Sequence, residues 1–287
     1  MRNIFPSRFT NLARATGRDR ASPIKTEEGR GMMRSITAFA LAGAAVLLVS
    51  CSYLPEFSLG SLDPLVSITE TREAIVLTKG APGPTTAGFM FYPGGLADPH
   101  GYLPLLADIA AAGIPVIVAK APGNLAVFSP NAGLALRALV PEAAGWVIGG
   151  HSLGGAMAAW SAHDNPDAYC GLVLLAAYPP DTKSLAAWPH PVLSISAEND
   201  GLATPAKIEG TLSLLPPQQQ PLTSLGTLYS YTSGGYAVLH QIPGGVHAQF
   251  GSYGPQKGDG TPTISADAQR VETRDYIVEF FTNNGWL

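Results

Sequence analysis

Thiols are scarce in this chain: Cys51 and Cys170 are its only cysteines. One pair builds no disulfide framework, and no C-x-x-C, H-E-x-x-H or calcium-loop pattern accompanies it, so neither a disulfide scaffold nor a motif-defined metal centre is indicated. Charge is scarce as well. Asp, Glu, Lys and Arg make up 13% of the residues against 46% hydrophobic, a balance that excludes a disordered chain. Basic residues thin out further along: residues 51–287 hold 9 of them against 18 acidic ones, a formal charge of −9. An acidic stretch without a basic cluster is a poor partner for nucleic acid. Repeats of about 20 to 50 residues are missing, which removes solenoids and propellers. The apolar run Ile36–Val49 has 14 residues, short of the roughly 20 that span a bilayer.

That run does have the length of a secretory signal core. Met32-Met33-Arg34 precedes it, and Leu48-Val49-Ser50-Cys51 closes it. The closing tetrapeptide resembles a bacterial lipoprotein box. The resemblance implies that Cys51 receives lipid and becomes the first mature residue, leaving the protein exported and lipid-anchored to a membrane of the cell envelope. A simple secretory signal or a marginal membrane helix is the alternative. Residues 1–31 carry seven basic and three acidic residues without apolar periodicity, so they read as a long leader, or translation starts at Met32 or Met33. The expected division is leader and signal over 1–50, a tether over 51–63, and one catalytic domain over 64–287. With Cys51 lipidated, Cys170 has no partner and reads as a small buried apolar residue.

Beyond the tether, strand-like and helix-like runs alternate. Strands are expected at Leu65–Thr69, Ala74–Thr78, Ala87–Tyr92, Pro115–Ala119, Trp146–Gly149, Leu172–Ala176, Val192–Ser196 and Tyr236–Ile242. The later ones are apolar almost throughout, as where helices cover both faces of a parallel sheet. Helices are expected at Tyr102–Ala112, Ala132–Leu139, Ser152–His163, Pro205–Leu214 and Ser265–Phe281, the last with Ala268, Val271, Tyr276, Ile277 and Phe280–Phe281 on its apolar side. Such alternation predicts an α/β domain with a mostly parallel eight-stranded sheet flanked by helices. Pro216–Gly235 reads as an irregular excursion.

Where the fifth strand meets the third helix stands Gly150-His151-Ser152-Leu153-Gly154, a G-x-S-x-G pattern. A serine raised on a tight strand-to-helix turn needs neighbours with almost no side chain, and the helix N-terminus behind it favours developing negative charge. The plainer reading is a Gly-rich turn with Ser152 as a helix cap. A nucleophilic serine also needs a base. Of the six histidines, His247 lies just past the last strand in an exposed loop, and it is preferred to His240 inside that strand. The base needs an orienting acid. Asp200 follows the seventh strand and is preferred to Glu198.

The order Ser152, Asp200, His247 resembles that of the α/β-hydrolase family, over about Ala74 to Phe281, and most closely its compact dienelactone-hydrolase-like and esterase-like branch. The resemblance implies a Ser-His-Asp triad, an acyl-enzyme and no cofactor. It also implies an oxyanion hole from the backbone N–H of Leu153 and that of Gly95 or Leu96, in Phe91-Tyr92-Pro93-Gly94-Gly95, where Pro93 replaces a frequent histidine. Tyr92, His100 and Tyr102 lie close enough in sequence to line a pocket. Only about 13 residues separate Tyr178 from His190, too few for a lid domain, so a shallow site for small esters or lactones is expected, walled by Asn124–Asn131 and Pro216–Gly235. Acyl transfer by the same residues and a non-catalytic binding lipoprotein on the same fold are the competing functions.

Overall fold

The computed structural model describes residues 53–218 and 234–287. The leader, the signal and Cys51 lie outside the described residues, as does most of the excursion. Eight strands form one sheet: β1 (Ser67–Glu70), β2 (Ala74–Thr78), β3 (Ala87–Tyr92), β4 (Val116–Ala119), β5 (Gly145–His151), β6 (Gly171–Leu175), β7 (Val192–Ala197) and β8 (Ala237–Ile242), in spatial order β1-β2-β4-β3-β5-β6-β7-β8. The β1–β2 and β2–β4 pairings are antiparallel and the others parallel. The eight strands expected from the sequence are all present, with ends displaced by a few residues.

Among the described residues five α-helices complete the layers: α1 (Leu103–Ala111), α2 (Ala132–Leu136), α3 (Leu153–Asp164), α4 (Pro205–Gly210) and α5 (Ala266–Asn283). Successive strand residues point to opposite faces, so each central strand feeds two cores. Phe89, Phe91, Val116, Val118, Val147, Val173 and Ile195 pack with Leu103, Leu106 and Ile109 of α1 and with Ile277, Phe280 and Phe281 of α5. Met90, Tyr92, Ile117, Ile148, Leu172 and Leu174 pack on the other face with Met157, Ala158, Ala159 and Ala162 of α3. This double coverage is why β3, β6 and β7 are buried along their whole length, while the edge strand β1 is exposed throughout.

Helix α5 starts where expected, with the Ser265 side chain accepting the Ala268 N–H, and buries Ile277, Phe280 and Phe281 as expected, but its first turns present a different face. Ala268 and Val271 are exposed, whereas Gln269 and Thr273 are wholly buried beside Ile277 and Phe280. The polar pair is buried because it is bonded. Gln269 exchanges two hydrogen bonds with the Val246 main chain at 2.9 and 2.8 Å, and the Thr273 hydroxyl donates to the Gln269 carbonyl. From Tyr53 on, the segment read as a tether is held to the domain. Tyr53 bridges Ala97, the Glu56 N–H donates to the Ser252 carbonyl, and Phe57 and Leu62 pack on the core.

Candidate functional site

Ser152 stands between β5 and α3 with φ 52° and ψ −124°, a conformation that side-chain-bearing residues rarely adopt. The surrounding glycines explain how it is held. A Cβ on Gly154 would collide with the carbonyl oxygens of Tyr92 and Pro93, one on Gly150 with the Tyr92 carbonyl, and one on Gly155 with the Ala177 side chain. Strand and helix thus approach more closely than any side chain permits. Although Ser152 occupies the N-cap position of α3, its hydroxyl makes no capping hydrogen bond. A turn built merely to cap a helix would use that oxygen. Here it is left for other work.

Asp200 follows β7 and His247 follows β8, and both side chains are almost completely buried. Asp200 Oδ2 lies 2.8 Å from His247 Nδ1, and Asp200 Oδ1 accepts the N–H groups of Leu202 and Ala203, each at 2.7 Å. The acid's two oxygens are therefore committed to different tasks. His247 Nε2 is buried and makes no hydrogen bond among the described residues. The imidazole sits beside the serine turn, its ring 4.4 Å from that of His151, the residue before Ser152. The Asp–His contact is thus formed, and His247, packed on the residue before Ser152, makes no hydrogen bond to the serine. Such a bond is often long in an unliganded site and tightens around a substrate.

The rejected candidates are engaged elsewhere. His240 stacks on Tyr276 with centroids 3.6 Å apart and pairs with Glu272 at 2.7 Å. The Glu198 carboxylate accepts the Gly244 N–H. His100 pairs with Asp98 and Glu70, and His163 with the Ser184 carbonyl. In the loop after β3, the Leu96 N–H donates to the Asn124 carbonyl at 2.8 Å and the Gly94 N–H to the Tyr102 hydroxyl at 3.0 Å. A Cβ on Gly95 would lie 3.0 Å from the Leu153 side chain, so the Gly95 and Leu153 backbones adjoin. Leu153 opens α3, where an N–H has no partner within the helix.

Tyr92 and Tyr102 are fully buried, which sets aside the expectation that they line a pocket. The Tyr92 hydroxyl bonds the Pro130 carbonyl and the Gly133 N–H. The Tyr102 hydroxyl joins Gly94 to His151 Nδ1, at 2.9 Å from the latter. His151 is wholly buried, and burial holds its pKa well below the usual imidazole range, with His247 adding to the effect. It is therefore a neutral ring that packs against His247.

The sequence reading missed Asp259. Its Oδ1 accepts the N–H groups of His247, Gly201 and Gly260 at 3.1, 3.2 and 2.8 Å, and its Oδ2 that of Ala248 at 2.8 Å. One carboxylate thereby ties the loop bearing the acid to the loop bearing the imidazole. The signal was slight, since Gly258-Asp259-Gly260 looks like any polar turn. Among the described residues no cluster of His, Cys, Asp or Glu could hold a metal, and no helix is long and apolar enough to cross a membrane.

Residues 88–271 match the model of the alpha/beta hydrolase family. No curated protein matches the chain by sequence. Among solved structures, the chain is similar to native Est2, a thermophilic esterase of the Planctomycetes species Thermogutta terrifontis. The TM-score is 0.51 at 14% identity, covering 80% of this chain and 98% of that one. The propionate-bound form of the same esterase gives 0.52 at 13%, over 78% and 96% of the two chains. A predicted CIB-like hydrolase from Thermoplasma acidophilum gives 0.50 at 13%, over 76% and 98%. At such identities the likeness is one of fold.

Proposed function

Since this chain belongs to the alpha/beta hydrolase family, we propose that it is a serine hydrolase that cleaves carboxylic esters of small molecules, lactones included. His247 Nε2 takes the proton of the Ser152 hydroxyl, and the oxygen attacks the ester carbonyl. The backbone N–H groups of Leu153 and Gly95 receive the oxyanion, Leu96 being engaged with Asn124. The imidazolium, held by Asp200, returns its proton to the leaving alcohol. Water activated by the same ring then releases the acid and frees Ser152. No cofactor enters these steps. The observation that carries the reading is the buried 2.8 Å contact between His247 and Asp200, alongside a strained serine whose hydroxyl caps nothing.

The short β6–β7 connection, with Leu185 and Trp188 buried, supports a site without a lid domain and a preference for short acyl groups. The loop Asn124–Asn131 forms one wall of that site in this reading. The chain itself is exported and anchored through lipid on Cys51, a reading supported by the signal-like run Ile36–Val49 and the tetrapeptide that ends it.

Labelling of the folded protein with a fluorophosphonate tests the chemistry. Modification of the native chain that vanishes in Ser152→Ala is expected, followed by turnover of p-nitrophenyl esters that falls as the acyl chain lengthens. A folded native chain that takes no label refutes the enzyme.

A further inference from the structure

Tyr53 is fixed to the rim of the candidate site. Its N–H donates to the Leu96 carbonyl and its carbonyl accepts the Asp98 N–H, both at 2.9 Å. Its ring packs 5.5 Å from that of Tyr253, which in turn packs on Tyr102. The strap therefore runs along the same loop, Gly94–Asp98, that carries Gly95. Only Ser52 separates Tyr53 from Cys51. Two residues of backbone reach at most about 7 Å. A free tether of a dozen residues would instead let the domain wander by roughly 20 Å. A lipid on Cys51 thus leaves this rim no choice of depth.

The two segments that flank this loop expose apolar side chains. Leu54 is 63% exposed, and Val127 and Phe128 are 45% and 68% exposed on the neighbouring loop. That loop is tied to the rim by the Leu96–Asn124 hydrogen bond and by Leu125, whose side chain lies 3.7 Å from a Cβ position on Gly95. Apolar groups exposed singly are ordinary, but three on two segments bonded to one loop, one of them next to the point where a lipidated chain would enter, are matched to hydrocarbon. The acidic balance of residues 51–287 offers no electrostatic attraction to an anionic bilayer, so the contact depends on apolar groups and the anchor.

We propose that Tyr53–Leu54, Gly94–Asp98 and Val127–Phe128 form a membrane-facing rim, and that the substrate is an amphiphilic ester whose carbonyl is presented at headgroup depth. This rests on the esterase reading of the site and on lipidation of Cys51. It also agrees with a lidless site: the short acyl part enters the protein while the apolar remainder stays in the bilayer.

The test uses the full chain, produced with its leader and reconstituted in phosphatidylcholine vesicles. Turnover of a butyrate ester of a long-chain alcohol dissolved in the vesicles is divided by turnover of water-soluble p-nitrophenyl acetate. The ratio is expected to fall at least about tenfold in Cys51→Ser and in the anchored double variant Leu54→Glu/Phe128→Glu. Amide exchange over residues 125–128 is expected to be slower on vesicles than in the Cys51→Ser protein, a measurement that needs no turnover. A ratio unchanged within about twofold in both variants, with exchange also unchanged, overturns the rim while leaving the esterase standing. A folded chain that cleaves neither ester and takes no fluorophosphonate overturns the esterase instead. Recovery of the chain without lipid on Cys51 overturns the membrane-facing rim outright.

Discussion

Asp200→Asn is the substitution whose consequence the geometry constrains most tightly. Oδ1 of the native acid accepts two N–H groups, from Leu202 and Ala203, while Oδ2 faces His247 Nδ1. An asparagine offers one oxygen and one NH2 group and must choose. With its oxygen toward the two N–H donors, its NH2 donates to Nδ1 and selects the tautomer protonated on Nε2. That imidazole cannot accept the serine proton. With the amide flipped, two backbone donors face an NH2 group inside a buried site, at about 1–3 kcal/mol for each group left unpaired. The first orientation therefore wins, and the fold survives in the wrong protonation pattern. The expected loss is about 10⁴ in kcat, or roughly 5.5 kcal/mol of barrier. Steady-state kinetics on p-nitrophenyl acetate near pH 7 measure it, with thermal unfolding as the check on folding. Glu198→Gln is the matched control. Among the described residues the Glu198 carboxylate accepts only the Gly244 N–H. A glutamine oxygen keeps that bond, so kcat should stay within about threefold, a change under 1 kcal/mol. Retention of kcat within tenfold in Asp200→Asn, or an equal loss in Glu198→Gln, would refute the assignment of the acid.

Asp259→Ala removes the acceptor of four N–H groups, two of them on His247 and Ala248. It should cost about 2–4 kcal/mol in chemical denaturation and lower kcat roughly 10–100-fold through a displaced imidazole; lost stability with full kcat would show that the carboxylate only braces the loops. Gly154→Ala drives a methyl into the carbonyls of Tyr92 and Pro93, backbone that has nowhere to go. A loss of about 3 kcal/mol or more is expected, read as a lowered Tm, and an unchanged Tm would mean that the elbow is looser than described. His151, whose pKa burial depresses, gives a pH prediction. Below about pH 6.5 the unfolded chain binds a proton there that the folded chain does not. Stability is therefore complete above that pH and is lost on acidification, approaching about 1.4 kcal/mol per pH unit from this residue. The acid limb of a stability–pH curve should be flatter in His151→Gln; equal slopes in the two proteins would disprove the contribution.

What was legible in the sequence divides by the kind of partner a residue has. The strands were legible because both of their faces pack on apolar side chains, so Phe89–Tyr92 and Leu172–Leu175 carry their burial in their own composition. The turn at Ser152 was legible for a related reason. The close approach of β5 and α3 admits only glycine at Gly150, Gly154 and Gly155, and that requirement is written locally. Strand ends and chain order pointed to Asp200 and His247, and the fold brings their side chains to within 2.8 Å. The face of α5 was found in its C-terminal half, at Ile277, Phe280 and Phe281, and missed in its first turns. Apolarity pointed to Ala268 and Val271, yet Gln269 and Thr273 are inside, because their partners are main-chain atoms that no side-chain pattern marks.

The contacts at the site that the sequence did not announce share that property. Gln269 grips Val246, Asp259 grips His247 and Ala248, and Tyr102 grips Gly94 while touching His151. Each reaches from one element to the backbone of a loop that carries a candidate reacting or oxyanion-binding group. A loop held by its own composition would need only turn residues. A loop that must hold an imidazole to within a fraction of an ångström needs its N–H and C=O groups fixed from outside. The candidate chemistry is therefore readable as a motif, but the stiffness of its loops lies in side chain to main chain hydrogen bonds. Those bonds depend on where the loops meet in space, and only the three-dimensional arrangement displays them.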